Sequence, residues 1–146
     1  MAQWIETRLR YDKVDERGKP KKVNEPYLVD ALSFAEAEAR IIKEMQPFIS
    51  GDFTVSAVKK ARIDEVIGDI DDGKYFLAKV GYITIDEKTG YEKPTVSRII
   101  ICEPDFQSAF GAVIIEMRKS VSDWHIISIA ETPIIGIFPA DHSGNK

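Results

Sequence analysis

The chain has 146 residues, of which 44% are hydrophobic and 30% are charged, and its formal net charge is −4. A domain of this length can bury about 70% of its unfolded surface, so it needs no metal or disulfide to hold its core. The negative net charge argues against indiscriminate binding to nucleic acid, although a local basic face is compatible with it.

The single cysteine, Cys102, ends the apolar run that begins at Ile99. One cysteine cannot form an internal disulfide, and its neighbours predict a buried thiol in a reducing setting. The first residues, Met1 to Arg8, show no apolar signal segment, and no apolar run has the length of a membrane span. We therefore expect a cytoplasmic protein without contact to a membrane.

The first residues of the chain predict a charged hairpin. From Trp4 to Lys13 the residues alternate as in a half-buried strand, with Ile5 and Leu9 on the buried side. Gly18 can take the left-handed conformation that closes the loop. Tyr27 to Ala31 then ends the return strand.

A helix follows this hairpin. Ser33 and Glu36 have the spacing of a capping box, so Ser33 is the predicted N-cap. Phe34, Ile41 and Met45 lie at helical spacing and are predicted core residues. Residues 53–67 are again extended in pattern, which makes residues 4–67 a β-β-α-β unit.

The same plan returns after an acidic linker, residues 68–74. The stretch from Tyr27 to Met45 matches the stretch from Ile99 to Met117 at an offset of 72 residues, and the alignment of residues 4–45 with 76–117 runs without a gap. Asp105 takes the place of the first N-cap, and the predicted core residues of the second helix are Phe106, Val113 and Met117. Residues 76–138 therefore form a second repeat, followed by a polar tail over 139–146.

The predicted fold class is α+β: two tandem β-β-α-β repeats with pseudo-two-fold symmetry, an antiparallel-rich sheet and both helices on one side. The two repeats make up a single domain, residues 1–146. In the second repeat both parities of the first strand are apolar, with Leu77 and Ile83 on one side and Phe76 and Val80 on the other. A strand of this kind is covered on both faces. Either the sheet covers itself or a second copy covers it, so we expect a homo-oligomer or internal coverage.

The run from Glu25 to Ile42, with Phe48 to Gly51 and Phe53 to Val55 after it, resembles a family. This is an uncharacterised domain-of-unknown-function family of small proteins from gut bacteria of the Bacteroides group and their phages and mobile elements. The resemblance implies a small cytosolic protein associated with phages. It implies no activity and no site residue.

Catalytic and metal-binding patterns are weak. Neither a phosphate-binding glycine motif nor a cysteine or histidine pair at metal spacing occurs. His125 and His142 do not form a recognisable metal-binding or catalytic pair. The linker contains three acidic residues, Asp69, Asp71 and Asp72, and this pattern favours a solvated segment over a cation-binding loop. We therefore predict no enzyme, no cofactor and no metal.

A basic face remains. Strand alternation predicts one face of the first repeat with four cations and an indole ring, a combination that suits single-stranded nucleic acid or a nucleotide; these residues are Trp4, Arg8, Arg10, Lys60 and Arg62. An ordinary solvated face in which Glu6 and Asp64 pair with the cations is the alternative. The first functional hypothesis is a phage-associated module that binds nucleic acid. The second is an inhibitor or assembly partner that binds another protein, as in anti-defence, through the apolar second repeat.

Overall fold

The computed structural model describes residues 3–71 and 73–140 of the chain. Its elements, in chain order, are β1 (Trp4–Val14), β2 (Pro20–Asp30), α1 (Phe34–Met45), β3 (Phe53–Lys60), β4 (Glu65–Gly68), β5 (Lys74–Ile85), β6 (Glu92–Glu103), α2 (Phe106–Met117), β7 (Trp124–Glu131) and β8 (Gly136–Phe138). The α+β class is thereby confirmed. The predictions that concern Asp72 and His142 lie outside the described residues.

The strands form two four-stranded sheets, each with its own helix, rather than one sheet with both helices on one side. Unit 1 takes the chain up to Ala61 and again from Pro133, and unit 2 takes residues 62–132. The strand order is β3-β1-β2-β8 in unit 1 and, read in the same direction, β7-β5-β6-β4 in unit 2. Both sheets therefore have one topology, which agrees with two repeats of one plan. The pseudo-two-fold axis stays a prediction.

Each sheet contains a short parallel strand that follows the other repeat in sequence. β4 comes directly after β3, yet it pairs with β6 in unit 2, and β8 comes after β7, yet it pairs with β2 in unit 1. The backbone bonds mark the switch: the N–H of Ala61 donates to Trp4, whereas the N–H of Asp64 donates to Arg98. The predicted single extended segment over 53–67 is therefore broken.

The hairpin loops also differ from the predicted alignment. Gly18 and Gly90 both have the left-handed φ that the loops need, +79° and +74°. The second loop is one residue longer, so Ile5 faces Val29 as Phe76 faces Ile101. The ungapped alignment of the first strands was wrong by one residue, because a loop accepts an insertion that a paired strand does not.

Both predicted helix caps are confirmed. The N–H of Glu36 donates to Ser33 Oγ at 3.1 Å, and Glu36 Oε2 in turn accepts from the N–H of Leu32 at 2.8 Å. The N–H of Ser108 donates to Asp105 Oδ1 at 2.7 Å. These contacts satisfy N–H groups that a helix leaves unpaired at its start.

Each unit has its own core between the sheet and its helix. Ile41 and Val113 are fully buried there, as predicted, while Met45 and Met117 pack at the edge of these cores. Phe34 and Phe106 were wrongly predicted as core, because each is 53% exposed. Each is the first helical residue, and a side chain there points back past the helix start instead of down onto the sheet.

Candidate functional site

The predicted basic face begins on β1 of unit 1. Arg8 and Arg10 alternate with the core residue Leu9, so both lie on the face of the sheet that carries no helix, which we call the helix-free face. Trp4 shares their parity but is only 7% exposed. Its ring is therefore not free to stack on a base, and this part of the prediction was wrong.

Lys60 does not join Arg8 and Arg10 on this face. A bulge on β3 opposite the Arg8–Leu9 step shifts the register, so Lys60 faces the core residue Ile5. Alternation past this point therefore turns Lys60 to the helix side of the sheet. Arg62 follows the end of β3 and belongs to unit 2. Lys60 and the two arginines of β1 thus lie on opposite faces of the sheet.

The cations that remain on this face are partly neutralised. Glu6 Oε2 accepts from Arg8 Nε at 2.9 Å and lies 3.7 Å from Lys59 Nζ. Glu6 pairs with cations as the alternative interpretation expected, whereas Asp64 accepts from the backbone N–H of Arg98 instead. Arg10 and Lys22 are exposed cations of this face that have no ion pair among the described residues.

A polar cluster lies on the opposite side of the same hairpin. Glu25 accepts from the hydroxyls of Tyr11 at 2.5 Å and Tyr27 at 3.2 Å, and lies 3.5 Å from Lys13 Nζ. Burial and the hydrogen bond to Glu25 raise the pKa of Tyr11 to about 12, and burial beside the same carboxylate raises the pKa of Tyr27 further. Both hydroxyls therefore stay protonated and act as donors that hold Glu25 in place.

The thiol of Cys102 is buried, as predicted. Burial raises the pKa of its thiol to about 11, and the nearby carboxylates of Asp69 and Glu103 raise it as well. The thiolate that a nucleophile needs is therefore scarce near neutral pH. Over residues 3–71 and 73–140, no three metal-binding side chains come together.

Unit 2 presents a different surface on its helix-free face. Cross-strand pairs place Pro94 beside Ile83 and Val96 beside Gly81, and Ile127 lies at the bulge of β7 close to Gly81. We call this group, with Ile85 at its end, the apolar sheet strip. Its aliphatic side chains are well exposed: Val96 43%, Ile83 44%, Ile127 49% and Ile85 69%.

A groove of about 270 Å³ follows this strip, lined among others by Gly81, Val96 and Trp124. His125 lies directly over Gly81, since a Cβ on the glycine would be 2.6 Å from His125 Cε1. The missing side chain of Gly81 thus makes room for the imidazole and keeps the floor of the groove low. Two cations, Lys79 and Arg98, form the next cross-strand pair along this face.

The corresponding positions of unit 1 are polar. Arg10 stands between Asn24 and Thr54 in its sheet, as Gly81 stands between Val96 and His125. Ser56, at the bulge of β3, donates to Asn24 Oδ1 at 2.6 Å.

In unit 2 the apolar side chains of Val96 and Ile127 occupy the sites of this hydrogen-bonded pair. The sequence did carry a signal for this difference, since both parities of β5 are apolar.

Two four-stranded sheets, each backed by one helix, define an α+β protein. A family model described as a domain of unknown function, DUF4494, matches residues 3–140, so the chain belongs to the DUF4494 family. No curated protein and no solved structure matches it. Neither helix in the described part of the chain has the length and apolar character needed to cross a membrane.

Proposed function

We propose that this protein is a non-enzymatic module that binds another protein through the apolar sheet strip of unit 2. The observation that carries the proposal is the exchange of Asn24 and Ser56, which bond to each other in unit 1, for exposed Val96 and Ile127 in unit 2. Contiguous exposed apolar surface costs solubility and is typical of protein interaction sites. Unit 1 has the same topology with polar residues at these positions, so the fold does not require the apolar side chains of unit 2 there.

The charges beside the strip indicate the chemistry of the partner. Lys79 and Arg98 lie side by side at the inner end of the strip, and neither forms an ion pair among the described residues. Two unpaired neighbouring cations favour an acidic group. The surface therefore suits a segment of a partner protein in which apolar side chains are followed by an aspartate or glutamate.

Nucleic-acid binding has less support from the same geometry. It depended on an accessible Trp4 and on cations gathered on one face, but Trp4 is buried and Glu6 neutralises its neighbours. An inhibitor or assembly partner of another protein needs neither feature. The association with phages and mobile elements, which the family resemblance implied, fits such a role and remains part of the proposal.

A selection from a library of displayed random peptides tests the proposal. The full chain is used as bait beside a matched variant, Val96→Asn with Ile127→Ser, which carries the unit 1 residues at the same sheet positions. We expect the wild type to enrich peptides that combine apolar and acidic residues. We expect the variant to lose at least tenfold in affinity for synthetic copies of them, since two apolar contacts are removed.

Thermal melts of both proteins control for folding. Lys79→Glu serves as a second variant and should shift the selection away from acidic peptides. Equal binding of the selected peptides by the wild type and by Val96→Asn with Ile127→Ser would contradict the proposal, as would a selection in which no peptide is enriched.

A further inference from the structure

Helix α2 has an apolar side that the described residues of its own unit leave exposed. Phe110 is 46% and Ile115 is 64% exposed, and Ile114 lies between them on the helix surface. Only three of the twelve helix residues are polar: Gln107, Ser108 and Glu116. A helix that is apolar on all sides is normally buried on all sides.

Helix α1 shows that this is not a demand of the fold. At the positions that match Phe110 and Ile115 it carries Glu38 and Lys43, which are both exposed. The buried positions Ala37 and Ala109, by contrast, are identical. The apolar outer side of α2 is therefore additional to what packing on a sheet requires.

A glycine lies in the middle of this outer side. A Cβ on Gly111 would have no atom of another described segment within 4 Å, so no contact with the described residues outside the helix requires a glycine there. Its φ is not in the left-handed range either. Glycine inside a helix is unfavourable compared with alanine, and its missing side chain leaves a gap that a neighbouring side chain can fill.

We propose that α2 packs against α2 of a second copy of this chain, with the two helices antiparallel. In this arrangement Ile114 of each copy lies over Gly111 of the other, and Phe110 of each flanks Ile115 of the other. One surface thus supplies both the projecting side chains and the gap that receives them, as a two-fold interface requires.

The charges at the helix ends select the antiparallel orientation. Asp105 caps the start of α2, and its carboxylate is open to solvent. At the end of the helix Lys119 is paired with Glu116 at 3.1 Å, while the exposed Arg118 has no ion pair among the described residues. Antiparallel packing brings Asp105 of each copy to the end of α2 that carries Arg118 in the other. Parallel packing would bring like charges together.

The outer side of α2 is separate from the apolar sheet strip, which lies on the helix-free face, so dimerisation does not depend on the proposed function. A helix of twelve residues is about 18 Å long, so the pair buries less than the roughly 800 Å² per partner of a standard interface. We therefore expect a weak dimer whose population rises with protein concentration.

Analytical ultracentrifugation of the full chain between about 10 and 500 µM tests this, since weak interfaces associate in that range. The wild type should pass from monomer to dimer. The double variant Phe110→Glu with Ile115→Lys reproduces the outer side of α1 and should remain monomeric. Glu38→Gln, on α1, is the control and should dimerise like the wild type.

Gly111→Leu is the sharpest variant, because the monomer has open space for the new side chain and leucine favours a helix more than glycine does. Its melting temperature should equal or exceed that of the wild type, while the dissociation constant of the dimer rises at least tenfold. A wild type that is monomeric throughout would overturn the inference. So would a Gly111→Leu or Phe110→Glu/Ile115→Lys protein that dimerises as the wild type does.

Discussion

Unit 1 and unit 2 have one topology but opposite outer surfaces. On the helix-free face, Asn24 and Ser56 of unit 1 form a hydrogen bond where Val96 and Ile127 of unit 2 are exposed apolar side chains. The helices differ in the same direction, since α1 is amphipathic and α2 is apolar almost all round.

The buried positions of the two units, in contrast, are close in kind. Ala37 and Ala109 bring each helix near its sheet, and Ile41 and Val113 fill the same place in the two cores. Burial therefore accounts for the common topology, while positions outside the cores are free to differ. This is why the proposed function rests on the surface of unit 2 and not on its fold.

The largest expected effect is the loss of stability when a core residue at a position common to both units is truncated. Ile41→Ala should lower the free energy of unfolding by about 2–5 kcal/mol, because the side chain is fully buried and its loss leaves a cavity. Val113→Ala, at the matching position, should destabilise in the same direction by less, since fewer carbon atoms are removed. Urea unfolding followed by circular dichroism measures both.

Phe34→Ala is the matched control in the same helix, and its half-exposed ring should contribute about 1 kcal/mol or less. If Phe34→Ala proved as damaging as Ile41→Ala, the assignment of the unit 1 core would be wrong.

Local signals in the sequence were sufficient for the helices and their starts. Ser33 and Asp105 are followed by periodic apolar residues, and a cap acts only on the residues next to it. The glycines of the hairpin loops were identified for the same reason, as φ is a property of a single residue.

The exchange of β4 and β8 had no such signal. Residues 53–60 and 65–68 are both extended in pattern, and nothing local specifies that they pair with different sheets. The bulge of β3 at Ser56 was equally hidden, and it alone reversed the side on which Lys60 lies. Pairing depends on residues far apart in sequence, which alternation does not report.

A proline substitution tests whether β8 pairs with β2 of unit 1. The N–H of Ile135 donates to the carbonyl of Pro26 at 2.9 Å where the chain joins β2, while the side chain of Ile135 is half exposed. Ile135→Pro removes this donor and should cost about 1–3 kcal/mol. Ile135→Ala keeps the donor and should stay within about 0.5 kcal/mol of the wild type.

Hydrogen exchange identifies which sheet responds. Amides of β2 in unit 1 should exchange faster in Ile135→Pro, and amides of β6 in unit 2 should not change, because β6 pairs with β4 instead. Faster exchange in β6 rather than β2 would show that the strands are not exchanged in this way.

The candidate site was predictable only in outline. Apolar residues on both parities of β5 indicated that unit 2 needs a partner or a cover, but not that Gly81 opens a groove below His125. The predicted basic face was wrong in part because strand alternation does not report whether a side chain is buried by the rest of the fold. Trp4 has the parity of an exposed residue, and it is the fold around it that makes it 7% exposed.

The smallest expected effect is nucleic-acid binding by the helix-free face of unit 1. If Arg8 and Arg10 bound single-stranded nucleic acid, affinity would fall with salt at a slope of about −0.7 per neutralised phosphate. Glu6 already pairs with Arg8 and lies near Lys59, so we expect little binding in an anisotropy titration at about 50 mM salt, where such contacts are strongest. Arg8→Glu with Arg10→Glu should then leave the signal unchanged. Tight, salt-dependent binding that this double variant abolishes would instead show that the helix-free face of unit 1 is a nucleic-acid site. The two units would then differ in what they bind, and not in whether they bind.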